Sequence, residues 1–229
     1  MDNKPSYLGH RERIRQRFLI GEGRDMADYE LLELVLTIAI PRRDVKPLAK
    51  ELINKFGSFA AVINASREDL LMVSGVKDGT ITVLKVINAA ALRTSWQNLQ
   101  SLDGPIINNF DTLIDYCRSA MCYSDVEELR LIYLDSKLHV LGQEIIQRGT
   151  INSVAIHPRE VIKYAMNNKA ASIIMVHNHP SGDVHPSKSD ISMTQKINEA
   201  CNSIGIRLID HLILSRNEYY SFSHHMLLG

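Results

Sequence analysis

The chain has 229 residues, with 26 Lys and Arg residues against 26 Asp and Glu residues, so its formal net charge is zero. Hydrophobic residues make up 45% of it and charged residues 23%, proportions that are typical of a globular protein. Wholesale disorder, a collagen-like repeat and a uniformly basic surface are therefore excluded. The length is sufficient for one or two domains, each with its own core.

The cysteines indicate a reducing compartment. Cys117, Cys122 and Cys201 form no C-x-x-C pair, and their odd number fits neither a disulfide framework nor a thiolate zinc cluster. The first residues lack the apolar core of a secretory signal, and the most apolar stretch, 31–40, is interrupted by Glu33 and too short to span a bilayer. We therefore expect a cytoplasmic protein without a membrane segment.

The first hundred residues predict a helical domain. Apolar residues with acidic interruptions predict a helix over 29–40, and Asp44 can cap a second helix over 46–56 that Gly57 ends. Residues 66–69, Ser-Arg-Glu-Asp, have the form of a capping box. These patterns predict several short helices, followed by a long one from residue 81.

Two further features of this half concern its surface and its limit. Arginines alternate over 11–17, a spacing that spreads them around a helix and suits a solvated surface at least as well as phosphate binding. A stretch rich in Ser, Asp, Gly and Pro, 97–105, predicts a domain boundary. We therefore expect one domain over 1–100 and a second over 105–229.

The second half alternates strand and helix patterns, which predicts a mixed β-sheet flanked by helices. The predicted fold class is α/β (α+β), with the helical domain first and the sheet domain after it. The predicted strands cover 129–134 and 138–146, which form a hairpin, and 172–177, 206–214 and 219–223, while helices begin at Pro158 and cover 187–203.

The segment His-Asn-His-Pro-Ser-Gly-Asp-Val-His-Pro-Ser-Lys-Ser-Asp, residues 177–190, has the residue types of a metal site. His177 and His179 are two apart at the end of a predicted strand, so both imidazoles can point to one side and share a metal. If the following helix folds back over the strand end, Asp190 completes a set of two imidazoles and a carboxylate. Three protein ligands leave the fourth tetrahedral position of a catalytic zinc for water.

Each of these residues also has a structural interpretation. Ser187 and Asp190 form a capping-box-like pattern, and a histidine at a strand end is often simply hydrogen-bonded. His211 follows Asp210 on an apolar strand, where we expect a pair at the edge of the core, and His185 is expected on an exposed loop. A deaminase is excluded because that chemistry needs an H-x-E motif with a later P-C-x-x-C, and the sequence contains no such cysteine pair.

The pattern H-x-H-P followed by S-x-x-D resembles that of JAMM (MPN-plus, Mov34) metalloproteases, which hydrolyse amide and isopeptide bonds with one zinc ion. Segments along nearly the whole chain are similar to the bacterial RadC family, the UPF0758 proteins. These segments are GHRERIRQRF, DYELLELVL, IPRRD, FGSF, RGTINS, HPREV, VHNHPSGD and LIDHLIL. The resemblance implies a helical domain with a helix-hairpin-helix-like element, and then a JAMM domain with a three-layer fold similar to cytidine deaminases.

The resemblance also implies roles for individual residues. His177, His179 and Asp190 stand at the positions of the zinc ligands, and Ser187 stands where a serine positions water or stabilises charge on the carbonyl oxygen. The family needs a glutamate on an earlier strand as general base, and Glu144 is the candidate, although its other interpretation is a solvent-facing strand position. We therefore expect one Zn²⁺ per chain, with iron or manganese also acceptable to the ligands, and hydrolysis of an unidentified peptide or protein substrate.

A rival interpretation comes from the helical half. The segment SGVKDGT, residues 74–80, resembles the glycine-containing hairpin by which helix-hairpin-helix modules present backbone amides to DNA phosphates. It departs from the usual form because Val76, Lys77 and Asp78 separate the glycines, and Asp78 would oppose a phosphate. The alternative function is a DNA-repair-associated or nucleic-acid- or protein-binding accessory protein with a structural or vestigial metal site. The intact ligand set with a candidate base favours the enzyme.

Overall fold

The computed structural model describes residues 6–149 and 156–228 of the chain. The chain divides into two compact units, Met1–Ala91 and Leu92–Gly229. The RGTINS segment extends into residues 150–155, so most of it lies outside the described ranges.

The division between the units falls inside the long helix α6 (Asp78–Gln100) and not in the polar stretch 97–105. The end of α6 belongs to the second unit because the buried Leu99 packs into that unit's core, with Trp96 against it. In the part of the chain that the structure describes, no helix combines the length and apolar character needed to cross a membrane.

The first unit is built from helices, as its sequence predicts. Leucine, valine and isoleucine side chains from them form one buried core, which includes Leu32, Leu52, Val62 and Leu84. The helices are α1 (Ser6–Gly21), α2 (Asp28–Ala39), α3 (Lys46–Phe56), α4 (Phe59–Asn64), α5 (Arg67–Leu71) and the first part of α6.

The arginines of α1 take part in contacts within this unit. The Arg11 guanidinium donates to the carbonyl oxygen of Ile40 at 2.9 Å, just after the end of α2. Arg17 forms an ion pair with Glu30 at 2.8 Å, and this contact lowers the pKa of the Glu30 carboxyl. These guanidinium groups therefore help to attach α1 to α2.

Helices α5 and α6 are joined by a tight turn, in which Gly75 has a φ of 91°, a conformation that favours glycine. At the start of α6 the Asp78 carboxylate accepts a hydrogen bond from Arg67 at 2.7 Å. Asp78, whose charge would oppose a DNA phosphate, is thus paired with the Arg67 guanidinium. DNA binding by this turn stays a prediction.

The second unit contains a mixed sheet with the strand order β2-β1-β3-β4-β5 among the described residues. Strands β3 and β4 are parallel, and the other neighbouring pairs are antiparallel. The strands are β1 (Glu128–Leu134), β2 (Val140–Arg148), β3 (Ser172–Asn178), β4 (Arg207–Leu214) and β5 (Tyr219–Ser221), and the helices are α7 (Phe110–Met121), α8 (Pro158–Asn167) and α9 (Lys188–Asn202).

The sheet lies between two layers of helix. Even-numbered side chains of β1 and β3, such as Ile174, pack with α7, whereas odd-numbered ones, such as Met175, pack with α8 and α9. Because both faces are covered, β1 and β3 are buried along their whole length and consist mostly of apolar residues. Helix α7 was not predicted, although its buried residues Leu113, Ile114, Cys117 and Met121 recur at the spacing of one helix face.

Candidate metal centre

Three of the predicted residues meet at the carboxyl end of β3. His177 and His179, at the end of this strand, and Asp190, in the first turn of α9, each offer a ligand atom within 4.8 Å of the others. The Nε2 atoms of the two imidazoles are 2.8 Å apart. The Asp190 oxygens lie 3.7 Å from His177 Nε2 and 3.8 Å from His179 Nε2. This cluster can hold a metal ion.

Local structure explains the convergence. His177 and His179 point to the same side because strand side chains alternate, and Gly182, with a φ of 91°, lets the chain turn back towards the sheet. Ser187 is the N-cap of α9, and its hydroxyl accepts from the Asp190 backbone N–H at 3.1 Å. In return, the backbone N–H and hydroxyl of Ser187 donate to Asp190 Oδ2 at 2.7 and 2.6 Å. The capping box is therefore present and orients the carboxylate that faces the imidazoles.

The chemistry of these groups fits a metal ion. His179 Nδ1 lies 2.6 Å from the carbonyl oxygen of Asp183, and since a carbonyl only accepts, Nδ1 donates to it and Nε2 is the nitrogen that faces the cluster. Burial lowers the pKa of His177 to about 4, although the Asp190 carboxylate opposes that shift, so this ring is neutral near pH 7. Two imidazoles and a carboxylate are suitable ligands for Zn²⁺.

A cavity of about 240 Å³ opens at this cluster and contains an acidic residue that was not predicted. Glu127 immediately precedes β1, which pairs with β3 so that Leu129 lies opposite His177. Glu127 has the same parity as Leu129, which directs it to the His177 side of the sheet. Besides the three candidate ligands, the cavity is lined by Glu127, Ser181, Asp183, His185 and Ser187.

The backbone around Glu127 is held by Asn178, the residue between the two histidines. Asn178 is buried, and its amide oxygen accepts from the Glu128 backbone N–H at 2.8 Å. Its amide nitrogen donates to the Val126 carbonyl oxygen at 3.2 Å. One side chain therefore fixes the peptide groups on both sides of Glu127.

The structure places Glu144 away from this cavity. It is exposed on the edge strand β2, opposite Leu131, and its charge adds to burial in raising the pKa of Tyr133. With neighbouring strands about 4.8 Å apart, the backbone of Glu144 is on the order of 10 Å from that of His177. Glu144 therefore faces solvent from the edge strand. A solvent-facing strand position was the second interpretation of this residue in the sequence.

His211 is nearer to the site than its sequence context indicated. The expected pair with Asp210 involves the backbone N–H of His211, which donates to the Asp210 carboxylate at 2.7 Å. The imidazole ring is fully buried, and its Nε2 lies 2.8 Å from His177 Nδ1. Burial lowers the pKa of His211 well below its usual value. The sequence contained no signal for this contact, because it depends on β4 lying beside β3. By contrast, His185 is exposed, as predicted, and its ring contacts Asp183.

A three-layer domain with an H-x-H pair ending a central strand and a carboxylate from the next helix corresponds to a JAB-type domain. The family model of the RadC-like JAB domain matches residues 107–227. A UPF0758 protein of Ruegeria pomeroyi is 45% identical over 219 residues, which cover 95% of this chain and 97% of that protein. A UPF0758 protein of Rhodobacter capsulatus is 43% identical over 209 residues, which cover 91% and 97%. The chain therefore belongs to the RadC family.

Proposed function

We propose that the protein is a metal-dependent hydrolase that cleaves a peptide- or isopeptide-like amide bond, with zinc as its metal. The observation that carries this proposal is the meeting of His177, His179 and Asp190 with Glu127 in one cavity. Zinc bound by the first three would lower the pKa of a water molecule and polarise the substrate carbonyl.

In this proposal Glu127 is the general base. Its carboxylate accepts a proton from the attacking water and delivers it to the leaving amine, the role for which Glu144 was the sequence candidate. Ser187 lines the same cavity, and its hydroxyl, which donates to Asp190, turns to donate to the substrate carbonyl oxygen as negative charge develops there.

A second cavity provides room for a substrate. It has a volume of about 390 Å³, a size typical of ligand pockets, and it shares His179 with the metal centre. Its lining is mainly polar and includes Ser124, Asn217 and the Arg216 guanidinium, which stacks over Tyr123. We assign this cavity to the part of the substrate next to the cleaved bond.

Metal content tests the ligands first. Wild type, Glu127→Gln and Glu144→Gln purified without chelator should each contain about one zinc per chain, and His179→Ala should contain none. A wild type that binds no zinc, even after zinc is added back, would show that the metal centre is wrong.

Hydrolysis of a library of internally quenched peptides tests the base. Glu127→Gln should lose cleavage by a factor on the order of 100 to 10,000 while keeping its zinc, because the proton transfer is lost. Glu144→Gln is the matched control and should keep both zinc and activity. Loss of cleavage in Glu144→Gln with full activity in Glu127→Gln would reverse this assignment.

A further inference from the structure

Behind the metal centre, three hydrogen bonds join one candidate ligand to another. His177 Nδ1 lies 2.8 Å from His211 Nε2, and His211 Nδ1 lies 2.6 Å from Thr194 Oγ1. The Thr194 hydroxyl lies 2.6 Å from the backbone carbonyl oxygen of Asp190. His177, His211 and Thr194 are all fully buried.

The direction of this chain is set at its Asp190 end. A carbonyl oxygen can only accept, so the Thr194 hydroxyl must donate its single proton to it. The Thr194 oxygen can then only accept from His211, and His211 Nδ1 must carry a proton.

The same reasoning continues through the ring to the metal ligand. Among the described residues, the ring nitrogens of His211 meet only Thr194 and His177, and a buried imidazole without a carboxylate partner is neutral. With its proton on Nδ1, His211 must accept through Nε2 from the Nδ1–H of His177. His177 Nε2 is therefore left with an open lone pair.

The open lone pair of His177 then faces the other imidazole of the cluster. The contact between His179 Nδ1 and the Asp183 carbonyl oxygen orients that ring, and His179 Nε2 lies 2.8 Å from His177 Nε2. Backbone carbonyls at both ends of the network thus direct the Nε2 atoms of both histidines towards one point, as two ligands of a shared metal ion require.

We propose that Thr194 and His211 are positioning residues of the metal centre, which fix the tautomer of His177 and link it to the helix that carries Asp190. This inference rests on the proposed function for the presence of the metal. Thr194 is four residues after Asp190, so its hydroxyl reaches the carbonyl one turn back, and His211 bridges from α9 to β3 through the neighbouring strand β4.

The tautomer can be measured in wild-type protein without any substitution. Long-range ¹⁵N–¹H correlation spectra distinguish the two neutral forms of each imidazole in the metal-free and the zinc-loaded protein. We expect His211 to carry its proton on Nδ1 in both states. A proton on His211 Nε2 in either state would overturn the proposal.

Zinc affinity, measured by competition with a chelator, tests the consequence. Thr194→Val keeps the shape of the side chain but removes the hydroxyl, and it should weaken zinc binding about 10- to 100-fold, whereas Thr194→Ser should bind like wild type. Thr80→Val changes a buried threonine of the other unit and is the matched control, with no expected effect.

The outcomes separate this inference from the proposed function. Wild-type affinity in folded Thr194→Val would overturn the positioning role and leave the metal centre intact. A wild type without zinc affinity would contradict the metal centre itself. Should Thr194→Val not fold, the tautomer of His211 in the wild type decides the question alone.

Discussion

Asn178 shows how a single side chain can replace regular strand pairing next to the cavity. Its amide holds the backbone on both sides of Glu127, where β1 is about to begin. Changing Asn178→Asp leaves the acceptor for the Glu128 N–H but puts a carboxylate oxygen against the Val126 carbonyl. We expect faster hydrogen exchange of the Glu128 amide, retained zinc, and a loss of turnover on the order of 10- to 100-fold through displacement of Glu127.

Asn202→Asp is the matched control for this variant, since Asn202 is exposed and its amide bonds, among the residues that the structure describes, only to Asn198 of the same helix. It should exchange and turn over like wild type. An unchanged Glu128 exchange rate in Asn178→Asp would contradict the described clamp, whether or not a substrate is known.

The cysteine thiols are expected to be inert in the folded protein. Burial raises the pKa of Cys117 and Cys122 to about 12 and that of Cys201 to about 11. A raised pKa means that the reactive thiolate is scarce at pH 8 and increases only in strong base. Iodoacetamide at pH 8 should therefore modify all three only after unfolding in urea, as read by mass spectrometry. Rapid labelling of the native protein would contradict this prediction.

Two helices of the chain begin with the same Ser-x-x-Asp capping pattern, and they allow a controlled comparison. Ser66 and Asp69 cap α5 with two of the contacts that Ser187 and Asp190 make at α9: the Asp backbone N–H donates to the Ser hydroxyl, and that hydroxyl donates to the Asp carboxylate. Replacing either serine by alanine should lower the free energy of unfolding of its unit by about 1 kcal/mol. Only Ser187→Ala should also weaken zinc binding, because only Asp190 faces imidazoles.

Chelator competition and urea unfolding of both alanine variants measure these two effects. Equal zinc affinity in Ser187→Ala and Ser66→Ala, with both helices destabilised, would show that the capping box does not orient the metal ligand.

For the chain as a whole, the metal should act as a stabilising ligand of the sheet unit. Zinc that binds the folded but not the unfolded state adds about 2.7 kcal/mol of stability when its free concentration is 100 times the Kd. Thermal unfolding should therefore shift upwards with zinc in the wild type and not in Asp190→Asn. An equal shift in both proteins would place the binding elsewhere on the chain.

Much of the architecture could be predicted because its signals are local. Gly57 after α3, Ser66 before α5 and the apolar run of β3 each act over a few residues, and the helices and strands occur at these places. Helix α7 was not predicted, although its apolar residues have the same kind of local signal, with Leu113, Ile114, Cys117 and Met121 on one helix face. The boundary between the two units lies within α6 and not in the polar stretch 97–105. Helix α6 continues through polar residues, and its Leu99 packs in the core of the second unit.

The sequence by itself determined the family and the candidate metal ligands. His177, His179 and Asp190 lie within fourteen consecutive residues, so strand alternation, one turn and a helix cap are sufficient to bring them together. Only the tertiary structure brought Glu127, His211 and Thr194 to the same place. These residues reach the site through the pairing of β1 and β4 with β3 and the packing of α9 on β4, and such non-local contacts leave no periodic pattern in the chain.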